Sequence, residues 1–197
     1  MLVFSKAKLV ILSVPKTGTT AIEAALGPSA AIWVQDPPEL KHAPVYRYNR
    51  FFRPALEKFV SPEIETVALV REPVSWLGSW WRYRQRPFMQ GKPNATHGIS
   101  FDDFVSAYCQ GKPPGFANVG SQAKFLEPQP NGTRVNRLFR YEAMADFVAF
   151  LEDRLAVSID LPRENVSPEM PVALSPDVEA KLRRKYAAEF DLWDGIG

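Results

Sequence analysis

One cysteine, Cys109, stands among 197 residues. A lone thiol builds no internal disulfide framework, and it fits a reducing compartment such as the cytoplasm. No stretch approaches the roughly 18 consecutive apolar residues that a membrane-spanning helix requires. Lys6 and Lys8 precede only a short apolar run, which Lys16 and its polar neighbours end at once, so the start does not read as a signal peptide. Without a secretory route, the N-x-S/T sequons at Asn94, Asn131 and Asn165 read as chance. Excess charge is also scarce. The 24 basic and 22 acidic residues leave a net +2, too little for wholesale nucleic-acid binding, so any anion site must be local. No partnered carboxylates suggest Mg²⁺, and no metal is expected.

What is present is ample core material, with 46% hydrophobic and 12% aromatic residues. Leu9 to Val14 is a continuous apolar run suited to a strand buried on both faces. Residues 17–20 turn the chain, and Ala21 to Leu26 read as a helix ended by Gly27-Pro28. Ala31 to Val34 reads as a short strand, 36–44 as a proline-punctuated loop, and Tyr46 to Phe59 as a helix broken near Pro54. Ile64 to Val70 is the second strong strand, followed by a helix over Val74 to Arg86. Residues 87–99 and 111–116 read as loops. Between them Ser100 opens a helix through the capping arrangement S-F-D-D. Arg134 to Tyr141 reads as a strand and Glu142 to Leu155 as an amphipathic helix. Ser175 and Pro176 start a long helix towards Trp193. Strands alternating with helices predict one α/β domain over 1–197, with a central, mostly parallel sheet flanked by helices.

Two strand ends carry the chemistry. In "VPKTGTT", residues 14–20, amides from Thr17 to Thr20 can turn inward around an oxyanion at the positive end of the next helix. Gly18 admits close backbone approach, Thr17, Thr19 and Thr20 add hydroxyls, and Lys16 adds a mobile charge. The spacing is not that of the nucleotide-hydrolase loop G-x-x-x-x-G-K-[ST]. Here the lysine precedes the only glycine, and no glycine lies upstream in the strand. In "VREPVSWLGS", residues 70–79, Arg71 can fork onto a phosphate, and the Ser79 hydroxyl can join it. Two such loops at the ends of parallel strands point into one crevice, which suggests a ligand with two separated phosphate-like ends.

The pair resembles the signature of PAPS-dependent sulfotransferases, in particular the bacterial and carbohydrate-directed branch. "PKTGTT" is similar to the lysine loop that grips the 5′-phosphosulfate of the donor. "REPVSWLGS" is similar to the R-x-P-(x)5-S segment, whose arginine and serine hold the 3′-phosphate. "RLFRYEAMADFVAFLEDRL" (137–155) resembles the strand–Tyr-Glu–helix segment, in which the tyrosine, here Tyr141, lies near the adenine. "LPRENVSP" (161–168) and "KYAAEFDLW" (185–193) are similar to that branch's closing stretches. The chain departs at Ala21 and Trp76, where many members carry an aromatic residue and an arginine, and it lacks the C-terminal Arg-Lys-Gly segment of the cytosolic branch. The resemblance implies a three-layer P-loop-like fold and metal-free sulfuryl transfer from PAPS to a hydroxyl of a small molecule or carbohydrate. Lys16 would stabilise the leaving oxygen.

An acceptor hydroxyl needs a base. Of the two histidines, His42 lies where the carbohydrate-directed branch often carries one, and neutral imidazole suits the task. His97 and Glu39 are the alternatives. The stretch 76–88 interleaves Trp80, Trp81 and Tyr83 with Arg82, Arg84 and Arg86, which reads either as a surface for an anionic sugar or as an apolar helix face beside a solvated basic one. Residues 41–53 carry the same mixture. The rival readings are a P-loop nucleotide kinase and a non-catalytic module that binds nucleotide or anionic glycan.

Overall fold

The computed structural model describes residues 1–162 and 170–197. Most of the 161–168 stretch, Asn165 included, therefore lies outside the described residues.

A short hairpin opens the chain. β1 (Leu2–Phe4) and β2 (Leu9–Leu12) pair antiparallel, and every residue of both is buried. At three residues β1 is too short to display a periodicity. Helix α1 (Thr19–Leu26) follows, then β3 (Ile32–Trp33), which pairs antiparallel with β1. Gly27 is required there, because a Cβ would sit 2.7 Å from the Trp33 ring. The expected loop at 36–44 contains a single helical turn, α2 (Pro38–Lys41). Next come α3 (Val45–Arg47), a π-helical turn (Tyr48–Phe52) and α4 (Arg53–Phe59). The helix interruption expected near Pro54 is this π turn. Pro54 itself lies in the first turn of α4, where no amide donor is required.

β4 (Glu65–Val70) leads into α5 (Pro73–Tyr83), followed by α6 (Phe101–Tyr108) and the one-turn α7 (Gln122–Phe125). β5 (Arg137–Arg140) and α8 (Met144–Leu155) match the expected strand–helix segment. The expected long C-terminal helix is divided into α9 (Pro176–Lys185) and α10 (Ala187–Asp194). Tyr186, at φ −119° and ψ 37°, leaves helical geometry between them.

The sheet order is β3-β1-β2-β4-β5. β2, β4 and β5 run parallel, while β1 is antiparallel to both its neighbours, so the sheet is mixed and not mostly parallel. The reason is the short turn after β1, since only antiparallel strands can be joined without a crossover of a dozen residues or more.

The chain forms two compact units. One holds Met1–Arg71, the described part of Gln122–Asn165, and Ile196. Its core sets Leu2, Leu9, Ile11, Val67 and Leu69 from the sheet against Ile22 and Leu26 of α1 and Phe147 and Leu151 of α8. Burying a side chain of this size is worth about 1.5–3 kcal/mol. The other unit holds Glu72–Ser121, the described part of Val166–Gly195, and Gly197. Its core is Trp76, Leu77 and Trp81 of α5 packed with Phe101, Phe104 and Tyr108 of α6, Leu182 of α9 and Phe190 of α10. Ser100 caps α6 through the Asp103 amide, as S-F-D-D predicts, while Asp102 accepts from the amide and hydroxyl of Ser175 at the start of α9. Among the described residues, no helix is long and apolar enough to cross a membrane.

Candidate functional site

β2 and β4 are neighbouring parallel strands in register, Leu12 opposite Ala68, so their C-terminal ends emerge side by side. β5 lies parallel beyond β4, Val70 opposite Arg140, and so delivers Tyr141 to the same end of the sheet. Topology therefore gathers the lysine loop, Arg71 and Tyr141 within one unit.

The lysine loop bends twice through the left-handed region, at Lys16 (φ 68°) and at Gly18 (φ 77°). A non-glycine residue held there stores strain, a habit of ligand-gripping segments. Gly18 is the N-cap of α1, and a glycine makes no side-chain cap bond to the helix's first turn. Thr19 and Thr20 are its first two residues, so their amides lie at the positive end of the helix dipole. Thr19 is buried and Thr20 exposed. Thr17 is wholly buried, and its hydroxyl donates to the Val14 carbonyl at 2.8 Å, bracing the loop from inside.

Arg71 meets this loop. Its Nη1 donates to the Lys16 carbonyl at 3.3 Å, and its guanidinium lies 4.3 Å from the centroid of the Tyr141 ring. Tyr141 also closes on Gly18, where an added Cβ would stand 3.2 Å from the ring and 3.2 Å from Met144. Lys16, Gly18, Arg71 and Tyr141 thus form one cluster. The backbone of Arg71 is gripped by Gln122 of α7. The Arg71 amide donates to Gln122 Oε1 at 2.9 Å, and Gln122 Nε2 donates to the Arg71 carbonyl at 2.8 Å. Gln122 is wholly buried. Nothing in its sequence surroundings marks it, because the bond spans 51 positions.

His42 follows α2 and faces the end of β2. Its Nδ1 lies 2.7 Å from the carbonyl oxygen of Ser13. A carbonyl only accepts, so Nδ1 carries the hydrogen and the neutral ring presents an unprotonated Nε2. Burial pushes the imidazole below its ordinary value near 6.5, and the adjacent Lys41 cation pushes the same way, against the raising influence of the Ser13 hydrogen bond and Glu23. The two alternatives are both exposed. Glu39 is exposed on α2, its carbonyl accepting from Arg47, and His97 is exposed in the second unit.

Ser79 is buried on α5 in the second unit. There the start of the helix is capped by Glu72, whose carboxylate accepts from the amides of Val74 and Ser75. The aromatic–arginine stretch divides by position. Trp76 and Trp81 belong to the core, and Trp80 bridges Trp76 and Tyr83 in edge-on contacts. Arg84 is buried and donates to the carbonyls of Gly115, Phe116 and Asn118, so it braces that loop instead of facing an acidic ligand.

Comparison of the chain with family models, with curated proteins and with solved structures returns no match to any of them.

Proposed function

We propose that the chain is a sulfotransferase that moves a sulfuryl group from PAPS to a hydroxyl of an acceptor, a carbohydrate or another small molecule, on a P-loop-like α/β fold in the cytoplasm. One observation carries the reading. The two basic loops that resemble the donor-binding segments, distant in sequence, come within hydrogen-bond reach at Arg71 and Lys16, beside Tyr141 and the uncapped start of α1. The residues fit the donor's chemistry. The α1 amides and Lys16 suit the 5′ anionic end, Tyr141 offers an aromatic face, and Arg71 suits the 3′-phosphate.

The donor supplies an activated sulfuryl group whose S–O bond to the nucleotide breaks as the acceptor oxygen bonds to sulfur. The chain's own part is positioning and charge stabilisation, which dominate in transfers with a loose transition state. The Lys16 ammonium neutralises charge growing on the leaving oxygen, a contribution of about 3–4 kcal/mol for a preorganised donor. His42 takes the acceptor's proton on Nε2, while Nδ1–H holds the ring to the Ser13 carbonyl. A base so placed contributes about 10²–10⁴ in rate.

Thermal-shift measurements with PAP, ATP and ATP–Mg²⁺ test the reading. PAP in metal-free buffer is expected to stabilise the fold, by about 2.7 kcal/mol at 100-fold over Kd. A shift that appears only with ATP–Mg²⁺ points to a nucleotide kinase. Binding of PAP without sulfuryl transfer to any hydroxyl panel points to a non-catalytic module.

A further inference from the structure

Glu23 reads on the page of the sequence as one polar residue in a short helix, yet it is 4% exposed. A buried carboxylate requires partners, and these are specific. Its Oε1 accepts from the Ser13 hydroxyl at 3.0 Å and lies 3.5 Å from the Met1 ammonium. Its Oε2 pairs with Lys41 Nζ at 2.7 Å. Ser13 is the residue whose carbonyl holds His42 Nδ1, and Lys41 is the residue immediately before His42. One carboxylate therefore holds both neighbours that orient the imidazole, the hydrogen-bond acceptor on one side and the adjoining peptide on the other. It does so from α1, the helix whose first turn closes the lysine loop.

We infer that Glu23 is the positioning residue of His42, locking the ring's Nδ1–H tautomer on Ser13 and balancing the Lys41 cation beside it, so that the base and the anion loop are set by one helix. This rests on the reading of His42 as the base. The charged groups facing the ring are Glu23 from α1, Lys41 from its own segment and the Met1 ammonium. Removing the Glu23 charge leaves two cations beside the imidazole, and its proton affinity falls. Removing the Lys41 charge leaves the carboxylate against the Met1 ammonium alone, and its proton affinity rises. Losing both restores the balance. A residue that merely filled space would not produce opposite signs.

The test is NMR titration of the imidazole in a His97→Gln background, which leaves His42 as the only histidine. Expected shifts in the His42 pKa are about half a unit or more downward in Glu23→Gln and upward in Lys41→Met, with the double variant near the parent. Nitrogen shifts of the parent should report hydrogen on Nδ1, and Ser13→Ala, which removes the hydroxyl anchor, should mix the two tautomers. Folded variants in which the pKa stays put, or moves in one direction for both charges, overturn the inference. Should Glu23→Gln fail to fold, the Lys41→Met shift and the Ser13→Ala tautomer ratio decide alone. The readout needs neither donor nor acceptor. Coupled shifts without sulfuryl transfer would retire the proposed activity and keep the positioning, whereas transfer with an unmoved His42 in Glu23→Gln would retire the positioning only.

Discussion

The junctions β2–α1 and β4–α5 begin alike, with a buried strand and then a basic residue, but they treat the helix start in opposite ways. At α1 the N-cap is Gly18 in the left-handed region, which makes no side-chain cap bond. At α5 the N-cap is Glu72, whose carboxylate already occupies the amides of Val74 and Ser75. A helix start that carries its own anion has little to offer another one. The first junction can therefore bind through its main chain, with Lys16 assisting, while the second must act through side chains, above all Arg71. In the proposed reading the donor's reacting end lies at the first junction, where fixed dipoles can stabilise developing charge. A guanidinium held on the Lys16 carbonyl and the Tyr141 ring suits the second, where charge does not change during the reaction.

The largest effect should come from breaking the first junction at its charge. Lys16→Ala is expected to lower turnover about 10²–10³-fold with the fold intact, measured as label transferred from PAPS at saturating donor. Turnover within a few-fold of the parent would remove Lys16 from the leaving-group role. Gly18→Ala tests the same junction through its backbone. At φ 77°, with Tyr141 and Met144 at 3.2 Å, a methyl meets both conformational strain and crowding. Destabilisation of about 1–2 kcal/mol in urea melts is expected, with weakened PAP binding. The smallest change belongs to the second junction. Glu72→Ala removes an N-cap and should cost about 1 kcal/mol of stability while leaving donor affinity near the parent's. Should Glu72→Ala and Gly18→Ala impair donor binding equally, the contrast between the two junctions fails.

Much of the first junction was legible because its determinants are local. A buried strand, a lysine, a glycine and three threonines fall within twelve residues of sequence, and the S-F-D-D cap and the run into Arg71 are as local. The parallel neighbours β2 and β4 followed from the same two runs. β1 was missed because three residues cannot establish a period, and its hairpin makes the sheet mixed. Gln122 and Glu23 were missed for a different reason. One is a buried amide whose partner is 51 positions away, and the other is a charged residue whose burial is balanced by Ser13, Met1 and Lys41. Local pattern carries no record of such long-range pairing. Of the two readings left open for the stretch 76–88, Arg84 fits neither, since it spends its donors on main-chain carbonyls inside its own unit.

The central claim is that Arg71 reads the second anionic end of a ligand whose first end lies on the Lys16 loop. Calorimetric titration of the parent and Arg71→Ala with PAP and with AMP, which lacks the 3′-phosphate, tests it most directly. The parent should prefer PAP by about 10–100-fold, as expected for a charge-assisted hydrogen bond of about 1.5–3 kcal/mol, and Arg71→Ala should lose that preference while binding AMP as the parent does. A parent indifferent to the 3′-phosphate, or a preference that survives Arg71→Ala, would contradict the account.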